Sequence, residues 1–244
     1  FNRDIKDFGC WNDSTLYPGE KEIYGTRMGA YIDFDKSSPQ IQVQIATSFI
    51  SIEQARMNLE HEVPEWDFKQ LCNNTKKAWN DKLSKFHIKG NNKDDAPIFY
   101  TALYHCYLFP REFSEYGKYY SAFDDKIHDG FSYNDYSLWD TFRAFHPLMT
   151  LIEPELTGDW ITALLQMYKE GGWLPMWPNP SYTNIMIGTH ADAVIADAYM
   201  KGIRNYDIGL AYEALRKNAM VPPDCDTQRR YGDRDYWTSF EGRA

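Results

Sequence analysis

Ile41-Gln42-Val43-Gln44-Ile45-Ala46-Thr47-Ser48-Phe49-Ile50-Ser51-Ile52-Glu53-Gln54 is where this 244-residue chain changes texture. From Ile41 to Ala46 apolar and polar side chains alternate, the period of two that marks a half-buried strand. From Ser51 the pattern changes. Ser51-Ile52-Glu53-Gln54 has the form of a capping box, in which a serine hydroxyl and an amide three residues on satisfy orphan backbone donors and open a helix. Upstream, Tyr31-Ile32-Asp33-Phe34 alternates as well, with the turn signal Lys36-Ser37-Ser38-Pro39 between the two runs. Two or three strands do not make an independent sheet, so their partners are expected upstream of Phe1.

Downstream of the switch the periodic segments are helical. Pro64 suits the first turn of a helix over 65–86, with Trp66, Leu71, Ala78 and Leu83 at helical spacing. After the polar loop 90–95, Ala96-Pro97 opens a helix whose Ile98, Ala102, Tyr104 and Leu108 are expected to face inward before Pro110 ends it. Residues 111–134 read as a long irregular loop rich in charge and aromatics, and ordered loops of that length tend to be functional. A helix over 137–152 is expected to be disturbed at Pro147, and another over 159–169 to end at Gly171-Gly172. Further helices are expected over 192–200 and 207–220, the last halted by Pro222-Pro223, with a polar tail over 224–244. Strands followed only by helices imply two domains, β then α. Long aromatic loops on one side of each helix pair are the pattern of an α/α toroid, so the fold expected is mainly α with a β remnant before it. The expected division is 1–50, 51–95 and 96–244.

Composition narrows the chemistry. Aromatic residues make up 16% of the chain, a surplus of amphipathic rings that suits a carbohydrate cleft as well as a core. The net charge is −9, with no Lys/Arg run and no basic patch interleaved with aromatics, which argues against nucleic acid. Cys10, Cys72, Cys106 and Cys225 form no CxxC pair, which excludes a zinc ribbon; free buried thiols are the expected state, with one or two disulfides the alternative. No apolar run approaches the ~20 residues of a membrane span. The chain begins at Phe1, which is compatible with a processed leader, and Asn12-Asp13-Ser14 and Asn73-Asn74-Thr75 fit the N-glycosylation sequon.

Four constellations can carry chemistry. Tyr136-Ser137-Leu138-Trp139-Asp140-Thr141-Phe142-Arg143-Ala144 places an indole, a carboxylate and a guanidinium within two turns. A pyranose has an apolar face that stacks on indole and vicinal hydroxyls that bridge a carboxylate and a guanidinium through charge-assisted bonds. The alternative for the same residues is a buried Trp beside an i,i+3 Asp–Arg pair. In Lys126-Ile127-His128-Asp129-Gly130, hydrogen bonding within the loop is favoured over a hydrolytic dyad. Gly172-Trp173-Leu174-Pro175-Met176-Trp177 is a proline-stiffened loop presenting two indoles. In Met186-Ile187-Gly188-Thr189-His190-Ala191-Asp192, helix capping by Asp192 competes with a role in a pocket. No nucleophile elbow, P-loop, dinucleotide fingerprint or HExxH helix is present.

Taken together these stretches, with Pro110-Arg111-Glu112-Phe113, His146-Pro147-Leu148 and Ile195-Ala196-Asp197-Ala198-Tyr199-Met200-Lys201-Gly202, resemble glycoside hydrolase family 92, the calcium-dependent exo-acting α-mannosidases. The resemblance implies a β-sandwich followed by an (α/α)6 barrel, with mannose in a terminal subsite between them. It implies inversion by a carboxylic acid and a carboxylate base about 6.5–9.5 Å apart, and a Ca2+ ion that binds the sugar. It assigns Trp139, Asp140 and Arg143 to the terminal subsite, and Trp177, His190 and Asp192 to the same rim. It also implies a mannose-containing oligosaccharide or N-glycan as partner and a periplasmic, secreted or cell-surface location. The family's Asn-Glu-Pro-Ser-His-like acid motif, its aspartate bases and its calcium ligands do not occur before Ala244. The chain therefore resembles an internal piece, with catalytic and metal residues expected beyond Ala244, the remainder of the enzyme as its partner, and no activity alone. The rival expectations are a glucoamylase- or trehalase-like toroid glycosidase, which would carry catalytic carboxylates in these helices, and a non-catalytic carbohydrate-binding segment.

Overall fold

The computed structural model describes residues 1–35, 40–183 and 185–221, and the chain forms two compact units. The turn expected at 36–39, the tail from 224 and Cys225 lie outside the described residues. The first unit spans Phe1–Thr47 and Ile52–Lys77; the second takes Ser48–Ser51 and the described residues from Ala78 onward.

In the first unit, β1 (Asp7–Asn12), β2 (Thr15–Pro18) and β3 (Met28–Asp33) form an antiparallel sheet in the order β2-β1-β3, with Cys10 opposite Tyr17 on one side and Ala30 on the other. The strand expected over Ile41–Ala46 does not join it. The alternation is real, but its sign is inverted: Ile41, Val43 and Ile45 are exposed, Ile45 at 81%, while Gln42, Gln44 and Ala46 are half-buried. Hydrogen bonding decides which face turns in. Gln42 exchanges three bonds with Asn2, and the Gln44 amide donates to the carbonyls of Val63 and Glu65 at 3.0 and 3.1 Å. α1 (Ile52–Glu62) starts where the sequence pattern places it. Asn58 of α1 donates to Thr47 O. α2 (Phe68–Leu83) is shorter than expected at both ends; at its start the Asp67 side chain accepts from Gln70 N and sets the first turn after Pro64.

The second unit opens with α3 (Asp95–Cys106), and here the expected face is wrong. Ile98 is 68% exposed and Tyr104 is also exposed, whereas Leu103 is buried and Phe99 and Tyr100 are half-buried. Apolar side chains surround this helix, so spacing alone does not choose a face. The segment 111–134 is not irregular either. β4 (Arg111–Glu112) pairs with β7 (Tyr133–Asn134), and β5 (Lys118–Ser121) pairs with β6 (Lys126–Asp129), both antiparallel. α4 (Leu138–Thr141) and α5 (Phe145–Ile152) replace the single helix expected over 137–152. The break falls at Phe142–Ala144, upstream of Pro147, because a proline ring clashes with the carbonyl four residues back yet fits a helix's first turn.

α6 (Pro154–Gly171) is the centre of the second unit, with ten buried residues including Trp160, Ile161, Leu164, Leu165 and Met167. Each fully buried large aliphatic side chain contributes about 1.5–3 kcal/mol. Its start is held by Glu153, which accepts from Lys85 Nζ at 2.5 Å and Tyr107 Oη at 2.9 Å. Its end is the expected one: Gly172 takes φ +89°, which lets its N–H reach Tyr168 O at little steric cost. α7 (His190–Met200) and α8 (Ile208–Met220) pack on it, and Asp207 caps α8 by accepting from Leu210 N at 2.9 Å.

Candidate functional site

The segment 135–143 is placed by burial at one end and left open at the other. Tyr136 is fully buried and donates from Oη to Trp160 O at 2.9 Å, while Leu138 fills the core beneath. One turn later the chain emerges, and the single turn of α4 leaves Arg143 in the break rather than on a helix face. The i,i+3 Asp140–Arg143 pair is therefore not formed. Arg143 instead lies 4.6 Å from the Trp139 ring centroid and 4.7 Å from that of Phe142, and donates from Nη1 to Trp139 O at 2.9 Å. Phe142 in turn stacks on His190 with centroids 4.2 Å apart and planes 3° from parallel. Indole, guanidinium, phenyl and imidazole thus form one ladder that joins α4 to α7, each cation–ring contact worth about 0.5–1 kcal/mol when exposed.

Charge within this ladder is arranged simply. Burial, reinforced by the Arg143 charge, lowers the His190 pKa, so the ring is neutral at pH 7. Asp140 is exposed; its backbone N–H donates to Ser137 O at 3.0 Å, and among the described residues its carboxylate has no hydrogen-bond or ion-pair partner. An exposed carboxylate and, three residues on, a guanidinium held against ring faces offer an acceptor and donors to hydroxyls.

The other expected site residues are placed as follows. Trp177 is half-buried in the loop after α6, its carbonyl accepting from Thr183 Oγ1 at 2.5 Å. Asp192 lies in the first turn of α7 without being its cap, a position that Thr189 takes, and its Oδ1 accepts from Asn218 Nδ2 of α8 at 3.0 Å. The structure thus unites Trp139, Arg143 and His190 through Phe142, with Asp140 their exposed neighbour in sequence.

Several partners were not legible in the sequence. Asn134 is buried and holds two segments at once: its Oδ1 accepts from Asp135 N and its Nδ2 donates to Pro180 O, both at 2.7 Å. That amide ties the entry of α4 to the loop carrying Trp177. His128 bonds Asp124 rather than Asp129, at 3.1 Å to both carboxylate oxygens, and stacks on Tyr119. Glu170 accepts from Tyr119 Oη and from Ser121 Oγ, which fastens the β5–β6 hairpin to α6. The His128 motif is thus a local hydrogen-bonding device, as expected. Cys10, Cys72 and Cys106 are free thiols, but only Cys10 is buried as expected; Cys106 is half-buried and Cys72, on α2, is exposed. Among the described residues no three His, Cys, Asp or Glu side chains converge to hold a metal ion. No described helix is long and apolar enough to cross a membrane.

Comparison with known proteins places this mainly helical chain in a class, the glycosidases, and in a family within it. Residues 54–241 match the glycosyl hydrolase family 92 catalytic domain. An uncharacterized secreted glycosidase of Arthroderma benhamiae is 30% identical over 222 residues, covering 86% of this chain and 24% of the fungal protein. The inverting family 92 mannosidase structure from Bacteroides thetaiotaomicron superposes with a TM-score of 0.83 at 32% identity, over 93% of this chain and 32% of that one. A second α-mannosidase of that family and organism gives 0.72 at 25% identity, over 90% and 31%. The chain belongs to glycosyl hydrolase family 92. It is mainly helical, with short N-terminal strands that fit a preceding β domain, and it spans about a third or less of the length of these relatives.

Proposed function

We propose that this chain supplies the terminal sugar subsite of an exo-acting, inverting α-mannosidase that removes α-linked mannose from an oligosaccharide or N-glycan. The observation that carries the reading is the Trp139–Arg143–Phe142–His190 ladder beside the unpartnered Asp140 carboxylate. Trp139 offers a ring face to the sugar, Asp140 accepts from vicinal hydroxyls, and Arg143, immobilised between two rings, donates to the same oxygens. His190 orients Phe142, Trp177 extends the rim, and Asp192 belongs to that rim through α7, with its carboxylate engaged by Asn218. None of these groups is assigned to proton transfer. In the proposal the acid, the base and the Ca2+ ligands come from chain beyond Ala244, and these 244 residues alone release no mannose. The titles of the bacterial mannosidases and the fungal relative's description as secreted support the substrate class and a secreted or periplasmic location.

The test uses the full-length enzyme. Asp140→Ala is expected to lower kcat/KM for an α-mannoside by about a hundredfold or more, with calcium affinity unchanged. A parallel loss of calcium affinity, or mannose release by the 244-residue chain alone, overturns the reading.

A further inference from the structure

The three-stranded sheet of the first unit has a face that the terminal subsite does not use. Side chains alternate along a strand, so Asp7, Gly9 and Trp11 of β1 share one face with their β3 partners Asp33, Tyr31 and Gly29. Each aromatic ring stands opposite a glycine and lies over it. A Cβ on Gly29 would fall 2.7 Å from two ring carbons of Trp11, and one on Gly9 would fall 2.7 Å from Tyr31 Oη. A glycine inside a strand marks a close approach of this kind. Cys10, on the opposite face, is buried, and its Sγ donates to Glu20 O at 3.3 Å.

Covering the glycines uses only one side of these rings. Trp11 keeps 37% of its surface exposed, Tyr31 is half-buried, and Asp7 and Asp33 are exposed. The two carboxylates stand directly opposite each other, a placement that destabilises a sheet. Asp7 Oδ1 accepts from Phe8 N at 2.8 Å, and among the described residues neither carboxylate has an ion-pair partner. Partial burial, reinforced by both carboxylates, raises the Tyr31 pKa, so its hydroxyl stays protonated and can donate. Rows two residues apart are separated by about 7 Å along a strand. The face therefore presents, in line, a pair of acceptors, a phenol and an indole.

This chemistry selects a ligand. An anion would meet both carboxylates and a chain of net charge −9. A sugar ring has an apolar face for an aromatic ring and hydroxyls that donate to carboxylates. Successive rows suit a chain of such rings better than a single one, and carbohydrate is what a glycosidase family acts on.

We infer that the Trp11–Tyr31 face binds a neutral oligosaccharide chain, stacked on the two rings with hydroxyls donated to Asp7 and Asp33. None of its residues is assigned to the terminal subsite.

The experiment measures binding of an α-linked mannotetraose by calorimetry, in the full-length protein carrying Asp140→Ala so that the ligand is not consumed. Saturable binding is expected, and it is unchanged by NaCl up to about 1 M, where charge pairing is screened. Adding Trp11→Ala weakens it at least about tenfold. Asp7→Ala together with Asp33→Ala does the same; this pair also removes a like-charge repulsion, so the test stands if Trp11→Ala fails to fold. Without Asp140→Ala, Trp11→Ala leaves kcat/KM for a simple aryl α-mannoside at the parental value. The inference is overturned by absence of saturable binding, by parent-like binding in the folded face variants, or by binding lost at high salt, the mark of a cationic partner. A lowered kcat/KM in Trp11→Ala, or a full-length crystal structure with protein packed over the Trp11 ring, overturns it as well. Failure of the mannosidase reading has its own signature: aryl mannoside turnover is absent while calorimetric binding to this face persists.

Discussion

α3 and α6 carry similar apolar residues and meet different surroundings. α6 buries ten residues against α5, α7 and α8, and even its ends are tied down by Glu153 and Gly172. α3 buries only Leu103 and leaves Ile98 at 68% exposure. The difference teaches that apolar content specifies how much surface a helix can bury, while neighbours specify how much it does. The candidate site lies on the well-packed side, where Tyr136 and Leu138 root α4 in the core of α6 before the chain turns out to Trp139 and Arg143.

That contrast can be broken or sharpened by experiment on the full-length protein. Leu164→Ala, at a fully buried α6 position, is expected to destabilise by about 2–5 kcal/mol, read by thermal or denaturant unfolding. A loss under 1 kcal/mol would mean that α6 is not the core element described. His146, which packs edge-on against Trp160 of α6, gives a pH signature of similar size. Burial holds its folded pKa at about 4, below the ordinary imidazole value of 6.5, so the unfolded chain takes up a proton that the folded chain refuses. Stability from this group is intact above pH 6.5, falls by up to about 3 kcal/mol as pH drops toward 4, and levels off below. His146→Phe removes this slope; an unchanged slope between pH 6.5 and 4 refutes the assignment. Tyr136→Phe leaves Trp160 O without its hydroxyl donor and is expected to cost about 1 kcal/mol. Ile98→Ala, on the exposed face of α3, should stay within about 0.5 kcal/mol. A larger effect would show that this face is covered in the full-length protein.

Much of this arrangement was legible in the chain. The helix start after Ser51, the stop at Gly171-Gly172 and the helix over 207–220 followed from turn and capping chemistry, which is local. The misreadings share one cause: a choice between two faces or two breaks made by partners distant in sequence. Gln42 and Gln44 turned inward because Asn2, Val63 and Glu65 offered hydrogen bonds, a preference invisible to hydropathy. Pro147 signalled a disturbance, but its effect falls at residues 142–144 rather than on its own position. Of the residues that the ladder joins, Trp139, Arg143 and His190 stand out in the sequence by their side-chain chemistry. Phe142, the ring that connects them, does not, because a phenylalanine in a helical stretch reads as core. Asn134 was hidden for the opposite reason: a polar residue between strands reads as a turn, and only the fold brings Pro180 to it.

The inverted alternation at residues 41–46 has a practical consequence. Ile41, Val43 and Ile45 project outward from an extended stretch that joins no sheet. An extended apolar edge of this kind is a template for strand addition between molecules, the hazard that soluble β proteins suppress with edge lysines and prolines. No charged residue interrupts Ile41-Gln42-Val43-Gln44-Ile45 itself. Handling of this segment is therefore governed by colloidal behaviour as much as by folding, and a gatekeeper charge at Val43 is the place to control it.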